Sequence, residues 1–409
     1  MDTRKQFAIK DFLSISVFWF ALEFCWQGLI TIIFPDQIVT YVDPASKGRF
    51  LGLIMAVGAI ISMLGQPIAG TFSDYSDSRF GRRKPFFVSG FLLFIISLFM
   101  LLFSNSFLLF FISVVFIFLA SDLSQAPYQG LIPDLVPKNQ KGKASGFMST
   151  ASILGAILGP ISAGYFIGIN RFSLSIYIII ATLTVTGLYT IVAVKEERIH
   201  LKYKLNAIEK IKQSFNFGFK VHKNYFILQL ARFFLMLSLT MLLVFFFFFV
   251  KDVIKAVNVA QTTGVVMGIA SFIALSVSLP AAHFSDKFGR KPLLYFGGAL
   301  GIIANIILIF TTTLLHLFIT ILFFGLAFGI YYSILWAFLI DYVPLEESGK
   351  YLGYSQYSTS FAQVFAPIIG GFIIDAYSGS RFGYQLIYSI SLIFTLSGMY
   401  FIHLVKEET

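Results

Sequence analysis

Long apolar stretches, each followed by a short polar one, run along the whole 409-residue chain. A helix needs about 20 mostly apolar residues to cross the hydrocarbon core of a bilayer. Twelve stretches have that length, so the pattern predicts an all-α membrane protein. We number the predicted spans helix 1 to helix 12 and place them near residues 12–34, 49–72, 86–104, 106–129, 144–168, 173–194, 223–250, 261–283, 292–312, 314–340, 350–374 and 384–404.

The composition excludes most other classes of protein. Hydrophobic residues make up 57% of the chain and charged residues only 12%, whereas soluble domains carry about 25% charged residues. A net charge of +10 would suit a nucleic-acid-binding protein, but the basic residues lie in short clusters between apolar stretches. We therefore predict the lipid bilayer, and no nucleic acid, as a partner. The sequence has one cysteine and no phosphate-binding loop or histidine cluster, so we predict no enzyme activity, metal or cofactor.

The basic residues also predict the orientation of the chain. With both termini in the cytoplasm, 23 of the 30 Lys and Arg fall on inside segments and 6 on outside loops. The positive-inside rule therefore predicts cytoplasmic termini, and we expect a multi-pass protein of the plasma membrane. The basic stretch 195–222 is predicted to be a cytoplasmic linker that lies on the anionic inner leaflet as an amphipathic helix.

The two halves of the chain repeat each other at an offset of 207 residues. A proline-containing pair, an acidic residue and a second proline all recur at that offset: Lys84-Pro85 and Lys291-Pro292, Asp134 and Asp341, Pro160 and Pro367. Six spans on each side of the linker make direct rather than inverted repeats. We predict two six-helix bundles, residues 1–194 and 223–409, that enclose a cavity near the bilayer midplane.

A charged motif follows helix 2 and recurs after helix 8. In each copy a carboxylate closes one helix, glycine allows a sharp reversal, and proline suits the first turn of the next helix. The acidic residues at the inner ends of helices 4 and 10 are the expected partners of the motif arginines. We predict a cytoplasmic gate, or alternatively a simple topology anchor, formed by Asp74, Arg79, Arg82, Arg83 and Asp134 and by Asp286, Arg290 and Asp341.

This paired motif resembles the signature of the major facilitator superfamily. The first copy, SDxxxSRFGRRKPF, is similar to a narrower branch: the plant sucrose transporters and animal proton-coupled sugar transporters, a glycoside-pentoside-hexuronide-like group. The helix 1 sequence Glu23-Phe24-Cys25-Trp26 and the end of helix 4, from Gln125 to Asp134, also resemble that branch. Three positions depart from it: Gln129 replaces an arginine, Leu29 a polar residue and Phe118 an acid. The resemblance implies the major facilitator fold, alternating access and a sugar substrate moved with protons.

Three charged residues lie well inside predicted spans, away from their ends, where each charge costs about 2.5–3.5 kcal/mol or more at the bilayer centre. Glu23 and Arg232 lie at similar depth in helices 1 and 7, so we predict that they face each other across the cavity. Glu23 would then bind a proton or the substrate while Arg232 tunes its pKa; the alternative is a static ion pair. Asp122 is the second candidate for proton coupling, and a structural hydrogen bond is its alternative.

Polar stripes at helical spacing predict where the substrate binds. Helix 4 and helix 11 each carry a stripe with spacings of three and four residues, and Trp26 shares a helix face with Glu23. Such stripes can also serve as packing contacts between helices. The predicted substrate-binding residues are Glu23, Trp26, Gln27, Asp122, Gln125, Gln129, Arg232, Gln356, Thr359 and Gln363.

The leading hypothesis from sequence is a monomeric secondary transporter that takes up a sugar, as a disaccharide or glycoside, together with protons. Its alternative is a proton-coupled exporter of lipophilic or cationic compounds, and Na⁺ in place of H⁺ stays open. A transport-inactive membrane sensor or scaffold belongs to a different class. The costly intramembrane charges count against that class, because an inactive protein has less reason to keep them.

Overall fold

A computed structural model describes residues 6–196, 206–214, 223–342 and 348–405. Within these ranges the chain is all-α and contains twelve helices long and apolar enough to cross a membrane, which confirms the predicted number. In chain order, helices 1 to 12 span Ile9–Tyr41, Lys47–Asp74, Lys84–Leu102, Phe107–Leu135, Lys141–Gly168, Phe172–Ala193, Lys223–Val244, Val259–Phe288, Arg290–Phe310, Leu314–Asp341, Ser348–Ala376 and Arg381–Leu404.

Helix 1 departs furthest from its predicted bounds, because it continues past Pro35 to Tyr41. A π-helical turn, Leu29–Ile33, precedes the segment Phe34–Tyr41, and Pro35 occupies the first turn of that segment. A proline is tolerated inside a membrane helix where a local π-helical turn accommodates its missing N–H. Helix 8 likewise continues past residue 283 to Phe288. Hydropathy marks where a helix leaves the hydrocarbon, not where it ends.

The two shortest predicted joints are both confirmed as helix breaks. Helix 3 ends at Leu102 and helix 4 begins at Phe107, where the Ser106 hydroxyl accepts the N–H of Leu109 at 3.3 Å. Thr313 plays the same part before helix 10, with its hydroxyl accepting the N–H of His316 at 3.3 Å. These side chains satisfy N–H groups that the first turn of a helix leaves without partners.

The chain divides into two compact units whose boundaries cut through helices 1, 2 and 5. One unit comprises Met1–Gln27, Ile60–Gly159 and Ile169–Phe217, and the other comprises Gly28–Ala59, Pro160–Gly168 and Gly218–Thr409. The division into bundles 1–194 and 223–409 stays a prediction. Of the predicted linker 195–222, the described residues include a short helix, Ala207–Ser214, with exposed Ile208 and Ile211. The rest of the linker beyond Glu196 lies largely outside the described residues.

Two helix crossings in the second unit repeat the same geometry. A Cβ on Gly264 of helix 8 would overlap the carbonyl oxygen of Pro160 in helix 5, and Gly164 lies against Ala260 and Gly264. In the repeat-related pair of helices, Gly52 of helix 2 meets the carbonyl oxygen of Pro367 in helix 11, and Gly371 meets Gly48. Pro367 and Gly371 lie 207 residues after Pro160 and Gly164. Small residues let helix backbones approach this closely in a membrane. The internal repeat therefore extends to backbone packing.

We expect Gly264→Ala to destabilise the protein by about 1–3 kcal/mol, because the added methyl group overpacks a backbone contact. Gly146→Ala is the matched control, since a Cβ at Gly146 in helix 5 meets no atom within 4 Å. The control should be neutral or slightly stabilising, because alanine favours a helix more than glycine does. Unfolding temperatures of both variants in detergent provide the measurement. Equal temperatures for the two variants would contradict the close crossing.

Candidate functional site

The first motif copy forms an ion-pair cluster around the start of helix 3. Arg83 donates from Nη1 to the Ser73 hydroxyl at 2.8 Å, pairs through Nη2 with Asp74 Oδ1 at 2.5 Å, and contacts Asp134 Oδ2 from Nε at 3.0 Å. Arg82 also donates from Nε to Asp134 Oδ2, at 3.0 Å. Arg83 is buried, so its charge is compensated by carboxylates that lie on helices 2 and 4.

The second copy has partners of the same kinds. Arg290 donates from Nη1 to the Ser285 hydroxyl at 2.6 Å, contacts Asp341 Oδ2 from Nε at 3.1 Å, and pairs with Asp286. Its side chain is more exposed than that of Arg83, at 21% against 8%, so the second cluster is the weaker one. Both copies thus pair their arginines with the predicted acids, and their role as a gate stays a prediction.

Arg79, the remaining predicted gate residue, lies apart from the first cluster. Its side chain is exposed and its guanidinium lies over the Phe80 ring, 4.7 Å from the ring centroid. An exposed cation on an aromatic face is worth about 0.5–1 kcal/mol. This geometry ties Arg79 to its sequence neighbour, unlike the arginines that bridge two helices.

The motif lysines make a contact that the sequence did not suggest. Lys84 Nζ donates to the carbonyl oxygen of Val194 at 3.3 Å, just past the end of helix 6. Its repeat partner Lys291 donates to the carbonyl oxygens of His403, at 3.3 Å, and Val405 at the end of helix 12. The last carbonyls of a helix lack internal partners, and a lysine there satisfies them.

Glu196 closes the first cluster from the side of helix 6. Its Oε2 accepts the backbone N–H of Arg83 at 2.8 Å, next to the first turn of helix 3. Burial raises the pKa of the Glu196 carboxyl above its ordinary value, although hydrogen bonds from the Arg83 and Lys84 backbone oppose the shift. The Glu196 carboxyl group therefore links the end of helix 6 to the start of helix 3, and its contribution to stability depends on pH.

Asp122 lies buried between helix 2 and helix 4. The side chains of Ser62 and Gln66 on helix 2 lie near its carboxyl group, and Gly65 leaves room for it. Its Oδ2 has no hydrogen-bond partner among the described residues. The partners of Asp122 are thus neutral, and one carboxyl oxygen remains free to carry a proton.

The other predicted residues of helices 1 and 4 have mixed exposure. Glu23 is half-buried and accepts from Gln27 Nε2 at 3.4 Å, while the Trp26 ring packs edge-on against Phe118 with centroids 4.7 Å apart. Asp122 is buried, Gln125 half-buried and Gln129 exposed. The predicted stripe on helix 4 therefore divides into a buried and an exposed part.

Arg232 in helix 7 contacts helices 10 and 11. Its Nε donates to the Thr359 hydroxyl at 3.2 Å, and its guanidinium lies over the Trp336 ring, 4.8 Å from the centroid. Sequence reasoning had no basis for choosing Trp336 as this partner, because a tryptophan near a helix end is also typical of a membrane interface. Glu23 and Arg232 belong to different compact units, and their pairing stays a prediction.

A second set of charges occupies the helix ends that are predicted to face outside. Lys47 Nζ contacts Asp252 Oδ2 at 2.5 Å, and the Tyr384 hydroxyl donates to the same oxygen at 2.6 Å. Asp375 accepts the backbone N–H groups of Gly48 and Arg49, each at 2.8 Å, and Arg49 Nε at 2.9 Å. We call Lys47, Arg49, Asp252, Asp375 and Tyr384 the outer clasp. It joins the start of helix 2 to the end of helix 11, to the segment Val250–Ile254 that follows helix 7, and to helix 12.

Comparison with known proteins decides the family. A family model described as Major Facilitator Superfamily matches residues 12–354 and 253–409. The chain belongs to this superfamily of membrane transporters. The names of the relatives found differ from the sugar-transporter branch that the motif resembles. Multidrug resistance protein 2 of Bacillus subtilis is 26% identical over 87% of this chain and 86% of its own length. Multidrug resistance protein MdtG of Klebsiella pneumoniae is 21% identical over 83% of this chain and 79% of its own length. The quinolone resistance protein NorA of Staphylococcus aureus is 30% identical over 37% of each chain.

Solved transporter structures share the major facilitator fold of this chain. A point mutant of the nucleoside transporter NupG superposes with a TM-score of 0.76 over 97% of this chain and all of its own. A bacterial homologue of the human lysosomal transporter Spinster gives 0.75 over 97% of this chain and 96% of its own. Both are 15% identical to this chain, so they establish its fold alone.

We expect Asp375→Ala to lower the stability of this major facilitator by about 1–3 kcal/mol, because two backbone N–H groups of helix 2 lose their acceptor. Arg49→Gln should cost only about 0–1 kcal/mol, since it removes a largely exposed ion-pair partner and leaves the carboxylate in place. Thermal unfolding in detergent measures both. The interpretation fails when the two variants are equally destabilised.

The raised pKa of Glu196 predicts a pH effect of defined sign. A folded-state pKa above the unfolded value means that the folded protein binds more protons, so this contribution to stability grows as pH falls and is lost as pH rises. The unfolding temperature of the wild type, measured relative to Glu196→Gln, should therefore increase as the pH is lowered from neutral to about 4.3, the ordinary pKa of glutamate. Glu209→Gln, at an exposed carboxyl in the short helix, controls for the loss of one acidic charge. A constant difference between wild type and Glu196→Gln would exclude the effect.

Proposed function

We propose that the protein exports lipophilic compounds across the membrane and that protons drive the export. The two relatives aligned over most of the chain are named multidrug resistance proteins, and a third is named for resistance to quinolones. These names describe the relatives, and they favour an exporter over the sugar transporter that the motif resembles. Alternation between the predicted bundles 1–194 and 223–409 is part of the proposal.

The surroundings of Asp122 carry the proton part of the proposal. Its carboxyl group is buried in a membrane span, its neighbours Ser62 and Gln66 are neutral, and one oxygen is unpartnered among the described residues. Burying a charged carboxylate costs far more than burying its protonated form. Proton binding and burial of Asp122 therefore favour each other. A conformational change that exposes the carboxyl group to water would release the proton, which links proton movement to transport.

Sugar uptake with protons is the second candidate. It rests on the SDxxxSRFGRRKPF motif and on the sequence around Glu23, which resemble the sugar-transporter branch. Glu23 would be its substrate-binding or proton-binding carboxylate, with Gln27 as a hydrogen-bond donor. Both candidates place a protonatable group within the spans, so they differ in substrate and direction.

Proteoliposomes with an imposed pH gradient separate the two candidates. The full chain is reconstituted, and movement of ethidium, norfloxacin and radiolabelled sucrose is followed with and without a protonophore. Gradient-driven movement of ethidium or norfloxacin that the protonophore abolishes supports the exporter. Sucrose accumulation without movement of either dye or drug would replace it by the sugar symporter.

Asp122→Asn should reduce gradient-driven transport to the level of protein-free vesicles, because the amide cannot exchange a proton. Exchange of substrate across the membrane without a gradient should persist, since the fold and the polar contacts of the side chain are kept. Asp122→Glu is the matched control: it retains a titratable carboxyl group and should retain coupled transport. Undiminished gradient-driven transport by Asp122→Asn would remove this residue from the coupling step and leave Glu23 as the candidate.

A further inference from the structure

Helix 11 presents polar side chains along one face between Gln356 and Gln363, in the first part of its span. Gln356 and Gln363 are exposed and Thr359 is half-buried, at spacings of three and four residues that place them on one face. An amide that faced lipid would leave its polar atoms without hydrogen bonds, at a cost of several kcal/mol. A polar ligand at this face would supply hydrogen-bond partners for these side chains.

Arg232 lies against this face through its bond to Thr359 and its contact with Trp336. Its Nη1 is buried and has no acceptor among the described residues. Neither contact supplies a negative charge, and no ion pair between Arg232 and a carboxylate is found in the part of the chain that the structure describes. The arginine is thus held in position by an aromatic ring and a hydroxyl, with its charge left uncompensated by these contacts.

Gln229 adds a second unsatisfied donor one helical turn away. Its Oε1 accepts from the Ser358 hydroxyl at 2.6 Å, which fixes the orientation of the amide. Its Nε2 is buried and has no acceptor among the residues that the structure describes. Gln229 and Arg232 are three residues apart and lie on the same side of helix 7. Two donors without acceptors, at a site with a positive charge, match a ligand that brings oxygen acceptors and a negative charge.

We propose that Arg232 and Gln229, supported by Trp336 and Thr359, form a carboxylate-binding subsite for the transported compound. The inference rests on the proposed export of lipophilic compounds and narrows it to molecules that carry a carboxylate. A guanidinium group binds a carboxylate through paired, charge-assisted hydrogen bonds. The bound carboxylate compensates the charge of Arg232 and accepts from Gln229. A cation without a carboxylate gains neither contact and is repelled by the arginine.

The test compares norfloxacin, which has a free carboxylate at neutral pH, with its methyl ester. Binding of each compound to the purified full chain in detergent is measured by equilibrium dialysis. We expect the wild type to bind the acid at least about tenfold more tightly than the ester, since charge-assisted hydrogen bonds contribute about 1.5–3 kcal/mol and 1.4 kcal/mol is tenfold. Arg232→Gln should reduce this ratio to about threefold or less, because only the neutral donor of Gln229 remains.

Three further variants distinguish recognition from a structural effect. Arg232→Lys keeps the charge but loses the planar pair of donors, so its ratio should be intermediate. Gln229→Leu removes only the second donor and should lower the ratio about threefold to tenfold. Arg381→Gln removes an exposed arginine at the start of helix 12 and should leave the ratio unchanged.

Two outcomes would overturn the subsite. In one, the wild type binds acid and ester equally; in the other, Arg232→Gln and Gln229→Leu weaken both compounds by the same factor. Because binding is measured without a gradient, these results are independent of transport. A wild type that prefers the acid but moves no compound in proteoliposomes would refute proton-driven export and keep the subsite. A wild type that moves ethidium and binds acid and ester equally would refute the subsite and keep proton-driven export.

Discussion

The absence of water from the bilayer core is the constraint on which the rest of this structure depends. Twelve helices satisfy their backbone groups internally, so polar side chains become the groups whose partners must be accounted for. At the inner helix ends, Arg83 and Arg290 each have a hydroxyl and two carboxylates. At the predicted outer ends, Asp375 has three donors. In both places the charges are matched.

The middle of the spans is different, because donors and acceptors there remain in excess. One oxygen of Asp122 lacks a donor, and one nitrogen each of Arg232 and Gln229 lacks an acceptor within the described residues. Such groups destabilise a protein unless something else binds them. In the proposed exporter, two ligands can supply the missing hydrogen-bond partners: the proton and the substrate. The acceptor without a donor and the donors without acceptors lie in different compact units, so the proposed proton site and the proposed substrate subsite use different residues.

The sequence predicted what depends on composition and position along the chain. Apolar length predicted the twelve helices, and the position of Asp134 and Asp341 at the inner ends of helices 4 and 10 predicted that they pair with motif arginines. It could not predict that Asp122 faces Ser62 and Gln66, or that Trp336 covers Arg232, because hydropathy does not record the rotation of one helix against another. Asp252 and Asp375 of the outer clasp were missed for another reason: a charge at a helix end is equally typical of a simple interface anchor. The substrate class stays a proposal, since the motif resembles that of sugar transporters while the two relatives aligned over most of the chain are named for multidrug resistance.

The outer clasp also determines when the protein can finish folding. Asp375 lies 326 residues after Arg49, whose backbone N–H it accepts. At about 5–20 residues per second, the ribosome needs roughly 15–65 s to make the intervening chain. During that time the start of helix 2 has emerged without its acceptor, and the glycines that face helix 11 are uncovered. The N–H groups at the start of helix 2 therefore stay without their acceptor until helix 11 has been synthesised. The late spans thus complete the packing of the early ones.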